Sequence, residues 1–184
     1  MIAFVAPSGS GKTTLMEQVI AELTRRGYRV GAIKHGHHVA DPDIPGKDSH
    51  RFRQAGAKSV IFSGPERWFM IQELGDTPPP PLPELVNSLV GQHDLVLVEG
   101  YRQEKIDQIR IHRPTQAEDT RPEERRQDHL PWSGSDQVVA VASSETEIPW
   151  AKPRLPLNDP SAVADFIVNH LNLRKPGSGH PSAP

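Results

Sequence analysis

Near its N-terminus the sequence reads Ala6-Pro7-Ser8-Gly9-Ser10-Gly11-Lys12-Thr13-Thr14. This segment follows a short apolar run, Ile2–Val5, which predicts a buried strand. It precedes apolar residues at helical spacing between positions 15 and 23, and Gly27 stands where a helix of that length should end. A strand, a glycine-rich turn, a Lys-Thr pair and a helix, in this order, are typical of a P-loop that binds phosphate groups.

Each residue type in this motif has a chemical reason. Gly9 and Gly11 let the backbone curl until successive N–H groups point at one anion. Lys12, where the helix begins, adds a positive charge for the β- and γ-phosphates, and the Thr13 hydroxyl offers a hard oxygen ligand to Mg²⁺. We therefore expect a nucleoside triphosphate to bind through Ser8, Gly9, Ser10, Gly11, Lys12, Thr13 and Thr14.

Length and composition narrow the classes of function. A chain of 184 residues suits one nucleotide-binding domain at residues 1–173, followed by a disordered polar tail at residues 174–184. With 21 basic and 23 acidic residues, the chain lacks the excess of positive charge that is typical of nucleic-acid-binding proteins, so nucleic acid is not an expected partner. The absence of cysteine excludes disulfides and thiolate chemistry. The sequence has neither a signal peptide pattern nor a run of membrane-spanning length, which predicts a cytoplasmic protein away from the membrane.

Hydrophobic patterning predicts the rest of the fold. Strands are expected at residues 28–34, 58–62, 67–71, 94–100, 108–113 and 138–142, and the 94–100 strand is apolar enough for the centre of a parallel sheet. Asp48 is expected to cap a short helix, and a helix after the proline stretch should present Leu85, Val86, Leu89 and Val90 on one face. A last helix begins at Pro160. Together these elements predict a three-layer α/β P-loop NTPase domain, with a mostly parallel twisted sheet flanked by helices.

Glu99 ends the central apolar strand and should emerge beside the nucleotide. P-loop proteins need a carboxylate there to hold Mg²⁺ or its water, and Gly100 would allow the chain to pass close to the phosphates. The structural alternative is a carboxylate that caps a neighbouring helix. We predict that Glu99 and Thr13 hold Mg²⁺ and that Lys12 and Glu99 are catalytic.

The loop at residues 34–48 carries further candidate ligands and is expected to cover the phosphates as a switch segment. Its candidates for a second carboxylate near the metal are Asp41, Asp43 and Asp48. His35 and His37 are spaced as metal ligands could be, and His38 follows them, but a structural zinc site is not favoured without cysteine and without a clear fourth ligand.

Two later loops are candidates for reading the base, because ligands of parallel sheets bind beyond the carboxyl ends of the strands. Ser143 and Ser144 follow one strand, and Asn158 and Asp159 precede the last helix. The Asn-Lys-x-Asp segment with which many GTPases read guanine is absent. Asp159 is equally suited to cap that helix.

Six motifs follow one another along the chain: the P-loop, Ile33-Lys34-His35-x-His37-His38, Pro45-Gly46-Lys47-Asp48-Ser49, Ala55-Gly56-Ala57, Leu97-Val98-Glu99-Gly100-Tyr101 and Leu157-Asn158-Asp159. In this order they resemble the MobB family of molybdopterin-guanine dinucleotide biosynthesis adaptor proteins. The resemblance covers about residues 1–173, and the histidine segment together with the PGKDS segment is its specific part. Ala6 departs from the usual first glycine of the P-loop, and residues 115–135 look like a long insertion.

The resemblance implies a homodimeric protein that binds GTP and hydrolyses it weakly with Mg²⁺. It also implies work beside MobA, the transferase that attaches GMP to molybdopterin. The residues themselves leave three other classes open. These are a small-molecule kinase with a lid formed by Arg121, Arg125 and Arg126, a metallochaperone GTPase that carries nickel on its histidines, and a module that binds GTP without turnover. For the lid, a solvated surface of mixed charge is the favoured interpretation.

Overall fold

The computed structural model describes residues 1–36, 41–113, 136–144 and 152–175. His37, His38, the charged loop at residues 115–135 and the tail from residue 176 onward lie outside the described residues. The chain divides into two compact units, one containing Met1–His35 with Val86–Pro184 and the other Gly36–Leu85. The sequence patterns do not predict this boundary.

Within the described ranges, the elements along the chain are β1 (Ile2–Val5), α1 (Lys12–Arg25), β2 (Val30–Lys34), α2 (Asp48–Gln54), β3 (Ser59–Ser63), β4 (Trp68–Gln72), α3 (Leu82–Asn87), β5 (Leu95–Glu99), β6 (Gln108–His112), β7 (Val138–Ser143), β8 (Arg154–Pro156) and α4 (Pro160–His170). None of the described helices is both long and apolar enough to cross a bilayer.

The described part of the first unit is built on a six-stranded sheet with the order β2-β5-β1-β6-β7-β8. Every pair of neighbouring strands runs parallel. All five residues of β5 are buried, as expected for a strand that lies between two others. The predicted α/β fold with a parallel sheet flanked by helices is confirmed. Since β1 lies between β5 and β6, the loop that follows β1 is flanked by the ends of both strands.

Helices α1 and α4 contribute to one hydrophobic core with the sheet. Phe4, Val19 and Ile167 in this core have no exposed surface, and full burial of such side chains stabilises a fold by about 1.5–3 kcal/mol each. Helix α1 ends at Arg25, and the predicted stop residue Gly27 follows it with φ 90°. The N–H groups of Gly27 and Tyr28 donate to carbonyls of the last turn, the Schellman arrangement that stops a helix. The core therefore fixes the direction in which α1 leaves the loop after β1.

The second unit contains α2 and an antiparallel hairpin of β3 and β4. The strands predicted at residues 58–62 and 67–71 are confirmed, and they form a two-stranded sheet separate from the main one. Helix α2 contacts β3. The hairpin exposes large apolar side chains, among them Ile61, Trp68 and Met70, whose exposed fractions are 64%, 69% and 55%.

Two helix predictions were wrong in detail. Lys47 occupies the N-cap position of α2, and Asp48 is the first helical residue. Its negative charge still interacts favourably with the positive end of the helix dipole. Helix α3 ends at Asn87, before Leu89, because the N–H groups of Leu89 and Val90 bond three residues back and close tight turns. Val90 is consequently 62% exposed, so the four expected apolar residues do not share one helical face.

Candidate functional site

The loop between β1 and α1 is the centre of the candidate site. Gly9 has φ 78° and Gly11 has φ 83°, in the left-handed region that glycine adopts without steric cost. Gly11 is the N-cap residue of α1, and no side chain of the described residues caps the first turn of this helix. The positive end of the helix dipole is therefore directed into the loop, as a phosphate site requires.

The loop is closed by its own contacts. The Ser10 hydroxyl donates to the Pro7 carbonyl at 2.8 Å. Ala6 keeps a negative φ, which explains why alanine is tolerated at the first position of the motif. Its carbonyl accepts a long hydrogen bond of 3.5 Å from Lys12 Nζ, which holds the ammonium over the loop.

The structure brings Lys12, Thr13 and Glu99 together, although Thr13 and Glu99 are 86 residues apart in the chain. Thr13 Oγ1 lies 3.2 Å from both carboxylate oxygens of Glu99. Lys12 Nζ lies 3.6 Å from Glu99 Oε1. This proximity follows from the sheet, because β1 and β5 are parallel neighbours with Phe4 opposite Glu99, so the residues after both strands meet at one edge.

Glu99 is held in its charged form. Burial by itself would raise its pKa, but the hydrogen bond from Lys34 and the positive charges of Lys12 and Lys34 outweigh burial, so the pKa of Glu99 lies below its ordinary value. The carboxylate is therefore ionised at neutral pH. An ionised carboxylate beside a threonine hydroxyl is a set of hard oxygen donors, and this chemistry fits Mg²⁺.

Two cations near the loop were not singled out from the sequence. Lys34 ends β2, and its Nζ lies 2.8 Å from Glu99 Oε1. Arg113 follows β6, and a β-carbon placed on Gly11 would come within 3.0 Å of its Nη2 atom. Both residues stand at carboxyl ends of strands close to β1 in the sheet, and the rule that ligands bind at this edge could have identified them.

Gly100 is required for a close approach of two chain segments. It has φ 92°, and a β-carbon there would come within 3.1 Å of the β-carbon of His35. The His35 N–H donates to the Glu99 carbonyl at 2.9 Å, and its ring centroid lies 4.7 Å from that of Tyr101. The glycine at this position thus lets the chain pass close to His35, at the same edge of the sheet as Glu99. In the described part of the chain, no three His, Asp or Glu side chains form a group that could hold a metal ion.

The loop carboxylates of the second unit have local partners. Asp43 is buried and accepts from Ser49 Oγ at 2.8 Å and from Arg53 Nε at 3.3 Å. Asp41 pairs with Arg53 at 2.6 Å. Both carboxylates therefore hold the loop in place. The Asp48 side chain is 83% exposed and lies 3.6 Å from Arg51, and its role at a metal stays a prediction.

The candidate base-reading residues meet at the carboxyl edge of β7 and β8. The N–H of Leu157 donates to the carbonyl of Ser143 at 3.0 Å, which joins the two loops. Ser143 is buried and Asn158 is exposed. Asp159 Oδ1 accepts from the Ala162 N–H at 3.0 Å, so Asp159 is the N-cap of α4. Base reading by these residues stays a prediction.

An open pocket of about 160 Å³ lies between α1 and β2. It is lined by Thr13, Met16, Glu17, Ile20, Ala32, Ile33, Lys34 and Glu99. Pockets that hold small molecules usually measure roughly 300–1,000 Å³, so we do not assign the nucleotide to this one.

Comparison with known proteins agrees with the geometry. A sequence profile of the MobB family, described as molybdopterin guanine dinucleotide synthesis protein B, matches residues 1–144. The chain is 39% identical over 172 residues to the molybdopterin-guanine dinucleotide biosynthesis adapter protein of Escherichia coli strain K12, covering 93% of each sequence. It is 37% identical over 177 residues to the protein of the same name from Haemophilus influenzae, covering 94% of this chain and 89% of that one.

The fold is similar to that of a solved structure of the same family. The MobB protein homolog from Bacillus stearothermophilus superposes with a TM-score of 0.66 at 26% identity, covering 94% of this chain and 98% of that one. Profile, sequence and structure agree with the resemblance identified from the motifs. The chain belongs to the MobB family.

Proposed function

We propose that this protein is a GTP-binding adapter in the biosynthesis of molybdopterin guanine dinucleotide, and that it hydrolyses GTP weakly with Mg²⁺. The observation that carries the proposal is the contact of Lys12, Thr13 and Glu99 at the edge of the glycine-rich loop. The names of the two bacterial adapter proteins support the pathway. Support for GTP as the nucleotide comes from the family resemblance.

Binding begins with the loop. Its backbone N–H groups and the N-terminus of α1 attract the phosphates. Contacts with Glu99 and with the Ala6 carbonyl hold the Lys12 ammonium beside the loop, so it needs little movement to reach a phosphate. Thr13 and Glu99 would hold Mg²⁺, which supplies positive charge to the phosphates when it is bound. Glu99 would thus hold the ion or its water, and Lys34 balances the charge of the carboxylate.

Calorimetry with GTP and Mg²⁺ tests the binding step. Lys12→Ala should weaken GTP binding by at least tenfold, because it removes a charge-assisted contact to the phosphates. Lys58→Ala is the matched control, since Lys58 is exposed and lies in the second unit. A folded Lys12→Ala protein with the affinity of the parent would contradict the proposed site.

Turnover and base selectivity are separate measurements. Phosphate release from GTP alone supports hydrolysis, whereas phosphate release that waits for an acceptor would indicate a kinase. Competition by GTP, ATP and inosine triphosphate for one labelled nucleotide tests guanine recognition. Because adenine would leave the polar groups that pair with guanine without partners, GTP should be preferred over ATP by roughly tenfold to a hundredfold. Equal competition by ATP would contradict the choice of GTP.

We infer that the partners are a MobA-type guanylyltransferase and a second copy of the chain. The hairpin supports a homodimer, because Ile61 lies opposite Met70 on it and both are more than half exposed, with Trp68 beside them. Exposed apolar groups of this kind mark interaction surfaces. Sedimentation of the parent and of Trp68→Ser measures the oligomeric state. A parent that sediments as a monomer would rule out the homodimer.

The cytoplasmic location of the protein stays a prediction.

A further inference from the structure

We propose that Arg113 is a phosphate-binding residue of the same site, on the side of the glycine-rich loop opposite Glu99. This inference rests on the proposed function. It assigns to the residue after β6 a direct contact with the phosphate chain of the nucleotide. Neither the motif nor the carboxylate at the end of β5 requires such a residue.

The position of Arg113 follows from the sheet. Strand β1 pairs with β5 on one side, where Phe4 lies opposite Glu99, and with β6 on the other, where Val5 lies opposite Arg110. Arg113 comes three residues after Arg110, beyond the carboxyl end of β6. The loop after β1 therefore has Glu99 on one flank and Arg113 on the other.

The guanidinium of Arg113 lies against the backbone of the loop. From the position of a β-carbon on Gly11, the distances to its Nη2, Cζ and Nε atoms would be 3.0, 3.6 and 3.9 Å. Glycine at this position therefore serves a second purpose besides its positive φ, since it leaves room for a planar cation. The guanidinium therefore lies beside Gly11, the N-cap residue of α1, at the positive end of the helix dipole.

The charges at the site indicate what this cation is for. Lys12 and Lys34 both lie near Glu99, at 3.6 and 2.8 Å. The guanidinium of Arg113, by contrast, forms no ion pair with any residue that the structure describes. A cation that has no carboxylate partner among the described residues, and that lies beside the N-terminus of a helix, is suited to a polyanion. The fork of an arginine matches phosphate oxygens in pairs, which a lysine cannot do.

The test compares GTP with inorganic tripolyphosphate, which has the phosphate chain without the nucleoside. Arg113→Ala should weaken binding of both ligands by about tenfold to a hundredfold, because both lose the same charged contact. Arg113→Lys should recover part of the affinity, since it keeps the charge and loses the fork. Arg154→Ala is the matched control, because Arg154 is exposed on the edge strand β8. Melting temperatures confirm that each variant is folded.

Three results would overturn the inference while leaving the proposed function in place. In the first, Arg113→Ala binds both ligands like the parent although Lys12→Ala does not. In the second, Arg113→Ala loses affinity for GTP alone, which would place the arginine against the nucleoside. In the third, the parent binds GTP but not tripolyphosphate. A site in which Lys12 and Arg113 both contact the phosphate chain should also bind that chain without the nucleoside. A parent that does not bind GTP refutes the proposed function and this inference with it.

Discussion

The ion clusters around Glu99 and around Arg53 have opposite compositions. At Glu99, one buried carboxylate meets two lysines and a threonine that come from α1 and the end of β2. At Arg53, one arginine meets the carboxylates of Asp41, Asp43 and Glu73 at 2.6, 3.3 and 2.8 Å. The first cluster lies at the carboxyl edge of a parallel sheet, and the second joins a loop, α2 and the end of a hairpin.

This difference distinguishes the proposed ligand site at Glu99 from the structural ion pairs of Arg53. The Arg53 side chain is 9% exposed, and the hydrogen bonds of Asp43 to Arg53 and Ser49 leave that buried carboxylate little capacity for another ligand. Glu99 keeps two exchangeable cation partners beside a glycine-rich loop, and a metal ion could replace them. Similar carboxylates in the sequence therefore have different tasks, which depend on whether the surrounding groups can be displaced.

The largest expected effect is on turnover at Glu99. Glu99→Gln should lower GTP hydrolysis by about a hundredfold, because the amide keeps the shape and loses the charge that we propose for holding Mg²⁺. Binding of GTP should change much less. Glu104→Gln is the control, since Glu104 is exposed and its carbonyl, rather than its carboxylate, accepts a hydrogen bond. Phosphate release at the parent rate would remove Glu99 from the mechanism.

The second effect is on stability at Arg53. Arg53→Ala should lower the melting temperature by on the order of 5 °C, because it leaves the Asp43 carboxylate buried without its cation. Arg51→Ala, two residues earlier in the same helix, should change it little, since Arg51 is 73% exposed. Thermal unfolding of both variants measures the contrast. Equal effects would mean that the ion pairs of Arg53 do not hold the loop.

The smallest effect is the pH dependence that comes from Glu99. Because its pKa is lowered in the folded protein, the carboxylate stabilises the fold above its unfolded pKa of about 4.3, and this contribution is lost as the pH falls through the folded pKa. Without nucleotide, the parent should melt about 2 °C above Glu99→Gln near pH 7. Thermal scans should show that gap closing at lower pH, and a constant gap would show that charge is not its cause.

Local features were predictable because each depends on neighbours in the chain. The glycine-rich loop, the helix stop at Gly27, the cap at Asp159 and the two strands of the second unit each follow from a few adjacent residues. The end of α3 was missed because an apolar pattern continued past it, while the backbone turned at Leu89 and Val90. Hydrophobic spacing indicates which residues can share a helical face and not whether the helix reaches them.

By itself, the sequence determined the glycine-rich loop for which we propose phosphate binding, the parallel α/β fold and the family, because short motifs and the periodicity of apolar residues indicate them. Only the tertiary structure decided which further cations surround that loop, and on which side of it the predicted Glu99 lies. Strand order places Glu99 on one side of it and Arg113 on the other, and it brings Lys34 to a carboxylate 65 residues away. The physical reason is that contacts between distant segments depend on the order in which strands pair, and no local pattern records that order.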